Sequence, residues 1–142
     1  MSGADKMSKS KGNVIDPLEL LKKYPADLLR SYLVAKINFL QDGVCSENLL
    51  TEFYQHFLVN SLSNLVARTS KMLQLYNEGI VPEFNSPVNN QELNNYYHYC
   101  DFSCREFRRK MDNYELTKAF QQIQELISES NKLITTLAPW QL

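Results

Sequence analysis

The sequence predicts an all-α protein, a bundle of about five helices preceded by a flexible loop. In each long segment, apolar residues recur at spacings of three and four, which is the helical period. The 142 residues include only 4 Gly and 5 Pro, too few for a turn-rich β fold, and 44% of them are hydrophobic, enough for a packed core. Helices of this kind bury their apolar faces against one another.

The two N-terminal helices are predicted by their start and stop signals. Asp16 followed by Pro17 begins a helix over about 17–23, because the carboxylate can accept from the first free N–H groups and proline fits the first helical position. Pro25 ends that helix. A second helix starts at Ala26, where leucines and a tyrosine follow at helical spacing.

Three longer helices are predicted over about 46–78, 90–112 and 115–138. Gly79 ends the first, and Pro139 ends the last. We expect one apolar face on each. In the first segment this face comprises Leu50, Phe53, Phe57, Leu58, Leu62, Leu65, Val66, Thr69, Met72 and Leu73, and in the second Leu93, Tyr97, Cys100, Cys104, Phe107 and Met111.

Charge and composition exclude several classes of function. The formal net charge is -1, so bulk electrostatics cannot hold a nucleic acid, and a generic RNA coat is excluded. Residues 1–36 carry a balance of +3 and residues 37–142 one of -4, which makes the N-terminal segment the better place for an anion. No membrane span or secretory core is evident, so we expect a cytoplasmic location and no membrane partner.

The three cysteines predict neither a disulfide framework nor a metal site. Their number is odd. Cys100 and Cys104 lie one helical turn apart, but no second ligand pair has a fitting spacing, so we expect both to be small core residues.

The N-terminal loop has a composition suited to binding a polyphosphate. Residues 6–10 read KMSKS and are followed by Lys11-Gly12. Lysines supply mobile charges, serines and backbone N–H groups supply directed donors, and glycine allows close approach. Composition alone favours a solvated basic tail over a phosphate site.

These residues also carry a family resemblance. KMSKS is the signature loop of the class I aminoacyl-tRNA synthetases, and the following K-G-N-V-I-D-P and Y-P-A-D-L-L-R-S-Y-L resemble the methionyl-tRNA synthetases. Residues 39–46 resemble their F-x-Q-D-G-x-x-S turn, with Cys45 where phenylalanine is usual. The resemblance extends to Trp140. It implies that Lys6 and Lys9 stabilise the charge that develops as methionine attacks the α-phosphate of ATP, with Ser8 and Ser10 as further phosphate donors.

A second candidate site lies on the long predicted helix. Asn60, Asn64 and Arg68 follow at i, i+4 and i+8 and form one polar stripe. Amide and guanidinium groups can read base edges, although an exposed row of such residues is also ordinary on a helix. The resemblance to the N-x-x-x-N-L-x-x-R segment of the methionyl-tRNA synthetases implies that Asn64 and Arg68 read the CAU anticodon, with Asn60 in support.

The chain closes with Ala138-Pro139-Trp140, which is similar to the A-P-W that ends the last helix of that family's anticodon-binding domain. A single tryptophan after a helix-ending proline is commonly a packing anchor. The resemblance instead implies that the indole of Trp140 stacks on an unpaired anticodon base and that Pro139 holds the turn.

We therefore expect a piece of a methionine-tRNA ligase with three parts. These are a KMSKS catalytic loop (1–16), linker helices that contact the tRNA stem (17–45) and an anticodon-binding bundle (46–142). The expected partner is the anticodon loop of tRNA(Met), and no DNA. ATP with Mg²⁺ and methionine would bind only with the catalytic body, so no cofactor and no activity are expected of the piece alone. The alternatives are the anticodon domain of another class I synthetase, such as that for cysteine, and a helical protein-interaction module.

Overall fold

The computed structural model describes Met7, residues 14–83 and residues 90–141. The regular secondary structure of these ranges is helical, with no strand, which confirms the predicted all-α class. The elements are α1 (Pro17–Leu21), α2 (Ala26–Lys36), α3 (Glu47–Phe53), a π-helical segment (Tyr54–Ser63), α4 (Asn64–Tyr76), α5 (Gln91–Asp112), α6 (Leu116–Leu137) and a 3-10 turn (Pro139–Gln141).

The helix α3, the π-helical segment and α4 form one continuous helix, called here the long helix (47–76). The backbone stays helical at both junctions, with φ -56° and ψ -51° at Tyr54 and φ -64° and ψ -43° at Asn64. With these three elements counted as one helix, the described residues form the five predicted helices. In the π-helical segment the winding is wider, and the hydroxyl of Ser61 donates to the carbonyl of His56 at 3.0 Å.

Side-chain caps begin three of the helices. The carboxylate of Asp16 accepts from the N–H of Leu18 at 2.8 Å, and the hydroxyl of Ser46 accepts from the N–H of Leu49 at 3.2 Å. Asn90 caps α5 in the same way. These contacts satisfy backbone donors that have no partner inside the helix, and they explain why the helices begin where the sequence predicts.

The main core lies at one end of the long helix, where α2, α3 and α6 meet. Phe53 is the centre of an aromatic cluster, with its ring centroid 5.8 Å from that of Tyr32, 5.4 Å from that of Phe57 and 6.0 Å from that of Phe120. The buried residues of this core are Leu20, Leu28, Tyr32, Ala35, Leu50, Phe53, Phe57 and Ile127.

The apolar stripe predicted for the long helix is buried only in its first half. No residue of α4 is fully buried. The prediction is wrong for Val66 and Thr69, which are exposed, whereas Leu65, Met72 and Leu73 are half-buried. The reason is that α6 presents polar side chains, among them Asn131 and Thr135, where it passes α4. Those side chains meet the long helix by hydrogen bonds rather than by apolar packing.

The inner face of α5 also differs from the prediction. Ser103 is its buried residue, whereas Tyr97, Cys104 and Met111 are exposed. The side chain of Gln122 on α6 donates to the Ser103 hydroxyl at 3.3 Å. A polar contact between two helices is not detected by a rule that searches for apolar spacing, which explains the error.

Candidate nucleic-acid interface

A groove separates the outer half of the long helix from α6. Its volume is about 440 Å³. The long helix carries the predicted polar row on one wall. Helix α6 forms the opposite wall and runs parallel to the long helix. The lining residues are Asn60, Ser61, Asn64 and Arg68 on one wall and Ser128, Asn131, Lys132, Thr135 and Thr136 on the other.

The lining of this groove combines cations, amides and hydroxyls, with no carboxylate among its residues. Lys132 lies 2.5 Å from Glu129, and the hydrogen bond to that carboxylate raises the pKa of the lysine, which therefore stays charged. Glu129 offsets the charge of Lys132, so the net positive charge of the groove comes from Arg68, on a chain whose net charge is -1. Such a surface suits an anionic ligand with polar edges.

Two contacts fix the guanidinium of Arg68. It donates to the hydroxyl of Thr135 at 3.3 Å, and its central carbon lies 5.7 Å from the ring centroid of Trp140. A guanidinium over an indole is a favourable cation–π arrangement. Arg68 is partly buried by these neighbours. The three side chains therefore form one unit, although Arg68 lies 67 residues before Thr135 along the chain.

The turn after α6 brings Trp140 to this position. Ala138 ends the helix with a left-handed backbone, φ 40°, an arrangement that costs free energy for a residue with a Cβ. Pro139 opens the following 3-10 turn, which the N–H of Gln141 closes by donating to the Ala138 carbonyl at 2.8 Å. The indole keeps 46% of its surface exposed, so it remains accessible to a stacking partner.

The other predicted residues fall in two groups. Asn60 and Asn64 are exposed on the long-helix wall of the groove, beside Arg68, while Pro139 shapes the turn without lining the groove. The residues predicted for catalysis and for the ATP phosphates lie outside the described residues: they are Lys6, Ser8, Lys9 and Ser10.

The α6 wall was missed by the sequence analysis. Ser128, Asn131, Lys132 and Thr135 follow at i, i+3, i+4 and i+7, which places them on one face of α6. The same spacing argument that identified the row on the long helix could have identified this one. The regular apolar pattern of the same helix masks this polar row in the sequence.

The described residues form neither a metal site nor a membrane-spanning helix. No group of three or more His, Cys, Asp or Glu side chains is placed to hold a metal ion there. Within the same ranges, no helix is both long and apolar enough to cross a membrane. All three cysteines are unpaired, and burial raises the pKa of the Cys45 thiol.

Comparison with known proteins identifies relatives that match nearly the whole length of this chain. The family model described as "tRNA synthetases class I (M)" matches residues 1–70. Methionine–tRNA ligases of Ureaplasma parvum and Bacillus subtilis are 39% and 35% identical over 96% of this chain, which corresponds to 26% and 20% of their lengths. A structure of Mycobacterium tuberculosis methionyl-tRNA synthetase in complex with methionyl-adenylate superposes with a TM-score of 0.84 at 27% identity, over 94% of this chain and 26% of that one. The chain thus spans about a quarter or less of the length of these relatives.

Proposed function

Because this chain belongs to the methionyl-tRNA synthetase family of class I, we propose that its groove reads the CAU anticodon of tRNA(Met). Asn64 and Arg68 would read the edges of unpaired bases, with Asn60 in support. Trp140, at the end of the turn that Pro139 opens, would stack on one of them. The relatives named above are all methionine–tRNA ligases, which favours this member over the cysteine member that the sequence left open.

One observation carries the proposal, the assembly of Arg68, Thr135 and Trp140 beside the exposed amides of Asn60 and Asn64. Single-stranded bases are recognised by stacking on aromatic or guanidinium planes together with hydrogen bonds to their edges. Both kinds of group lie around the guanidinium of Arg68. This groove is polar, so it does not supply the apolar docking surface that we expect of a helical protein-interaction module.

The N-terminal residues would serve the activation of methionine. In this proposal Lys6 and Lys9 stabilise charge on the α-phosphate of ATP while methionine attacks it, and Ser8 and Ser10 donate to phosphate oxygens. The reaction uses ATP with Mg²⁺ and would also require the part of the relatives that this chain does not match. No magnesium ligand is assigned to this chain.

Titration of intrinsic fluorescence with RNA tests the reading of the anticodon. Trp140 is the only tryptophan, so its signal reports directly on the proposed site. We expect a stem-loop with a CAU loop to change the emission and to bind more tightly than stem-loops with one altered anticodon base. Arg68→Ala should weaken CAU binding by about tenfold or more, the effect of losing one good base contact, and leave the altered loops unchanged.

Arg105→Ala is a suitable control for this variant. Arg105 is an exposed arginine on α5 that pairs with Asp101 at 3.0 Å, away from the groove residues. Its removal lowers the net charge by the same amount and should not alter discrimination between loops. If Arg68→Ala weakened binding to all loops equally, Arg68 would contribute only general charge attraction, and base reading would be contradicted.

A further inference from the structure

Asn131 joins the two walls of the groove. Its side-chain nitrogen donates to the carbonyl of Ser61 on the long helix at 3.3 Å and to the carbonyl of Ile127 on its own helix at 3.1 Å. We propose that Asn131 is a positioning residue, which sets the winding of the long helix beneath the groove and so holds Asn64 and Arg68 at the angle required to meet a ligand.

The carbonyl that Asn131 contacts lies where the long helix changes from π to α winding. Ser61 is in the last turn of the π-helical segment, and the N–H of Asn64, the first residue of α4, also donates to its carbonyl. The change in winding determines the angle between Asn60, before the junction, and Arg68, after it. A hydrogen bond from α6 to this carbonyl therefore acts at the point that controls the geometry of the whole row.

The cost of burying this amide supports a specific role for its N–H donors. The Oδ1 atom of Asn131 is buried and has no partner among the described residues. Turning the amide over would aim that oxygen at two carbonyls, so the orientation is fixed. A buried acceptor without a partner destabilises the folded state, a cost that an apolar side chain of similar size would avoid.

A second contact carries the position of Asn131 towards Arg68. The hydroxyl of Thr135 donates to the carbonyl of Asn131 at 3.0 Å and accepts from Arg68 at 3.3 Å. The side chain of Asn131 thus contacts the junction of the long helix. Its carbonyl contacts Thr135, which holds the guanidinium of Arg68. The part of the inference that concerns RNA rests on the proposed function, whereas the part that concerns helix geometry does not.

Asn131→Leu tests the inference, and Gln122→Leu is the matched control. Both variants replace a polar amide on α6 that reaches across to another helix, but Gln122 contacts α5 and does not line the groove. Backbone hydrogen exchange of the full chain is the first readout. We expect exchange at residues 61–68 to accelerate by about tenfold in Asn131→Leu beyond any global loss of stability, and to stay unchanged in Gln122→Leu.

Trp140 emission and discrimination between RNA loops give the second and third readouts. The preference for CAU over altered loops should fall by about tenfold in Asn131→Leu and persist in Gln122→Leu. If Asn131→Leu does not fold, Asn131→Ala removes both donors without adding bulk or charge and should show the same local changes.

The readouts separate failure of this inference from failure of the proposed function. Unchanged exchange at residues 61–68 in a folded Asn131 variant would overturn the positioning role whatever the RNA result. If the unmodified chain binds all loops equally well, anticodon reading is overturned. The exchange comparison would still decide the role of Asn131.

Discussion

The two ends of the long helix are built by different interactions. Around Phe53 and Phe57 the helix is surrounded by buried apolar side chains of α2 and α6, with four aromatic rings in mutual contact. In α4 no residue is buried, and the neighbouring helix is reached through Arg68 and the 3.3 Å bond to Thr135. One end supplies the stability of the fold, and the other leaves its polar side chains accessible.

This difference shows how a small helical bundle can present a reading surface without weakening its core. Apolar packing is strong but hides the side chains that take part in it. Hydrogen bonds contribute less to stability, but they fix the directions of polar groups that remain at the surface. At the accessible end, the polar contacts of Arg68 and Asn131 add to the half-buried packing of Leu62 and Leu65, and the loss of these polar contacts should alter geometry more than stability.

Phe53→Ala is expected to have the largest effect on stability. The side chain is 4% exposed and contacts three other rings, so its truncation leaves a cavity in the main core. We expect the free energy of unfolding to fall by about 3–5 kcal/mol, measured by urea denaturation. Val66→Ala, at the open end, should change it by less than about 0.5 kcal/mol because Val66 is exposed. Similar losses in the two variants would contradict the division into a packed and an open end.

The sequence predicted the fold well because its signals are local. Caps at Asp16 and Ser46 and the stop at Gly79, where φ is 78°, all act within a few residues, and helical boundaries agree with the prediction to within about two residues. The π-helical winding was not predicted, because no local signal in residues 54–63 distinguishes it from an α-helix. The exposure of Cys104 was not predicted either, since it follows from the polar pairing of Ser103 and Gln122 across two helices.

The candidate site was predicted in part. The row of Asn60, Asn64 and Arg68 is visible as a spacing within one helix, and Trp140 stands out as the only tryptophan. The contact between Arg68 and Trp140 requires the chain to reverse at Ala138, whose left-handed backbone is unusual for alanine. No spacing rule within a helix detects that reversal, so only the family resemblance connected the two residues.

Trp140→Ala is the next largest expected effect, and it should appear in binding rather than in stability. Stacking on an unpaired base contributes roughly 1–3 kcal/mol, so the affinity for a CAU stem-loop should fall by about tenfold or more, measured by fluorescence anisotropy of labelled RNA. Tyr76→Ala is the control, because Tyr76 is an exposed aromatic residue of α4, whereas the Trp140 ring lies 5.7 Å from the guanidinium carbon of the groove residue Arg68. An equal loss in the control would show that stacking at Trp140 is not specific.

Ser46→Ala should have the smallest effect, and it compares the capped start of the long helix with its interior near the open end. The Ser46 hydroxyl accepts from the N–H of Leu49 at 3.2 Å, and removing such a cap costs typically about 1 kcal/mol. Ser70→Ala makes the same change inside α4 at an exposed position, where alanine is the better helix former, so stability should rise slightly or stay constant. We therefore expect urea denaturation to show changes in the free energy of unfolding that do not share a sign, although both variants replace serine by alanine. A loss at Ser70 as large as that at Ser46 would mean that the open end depends on serine contacts in the same way as the packed end, and the distinction between the two ends would fail.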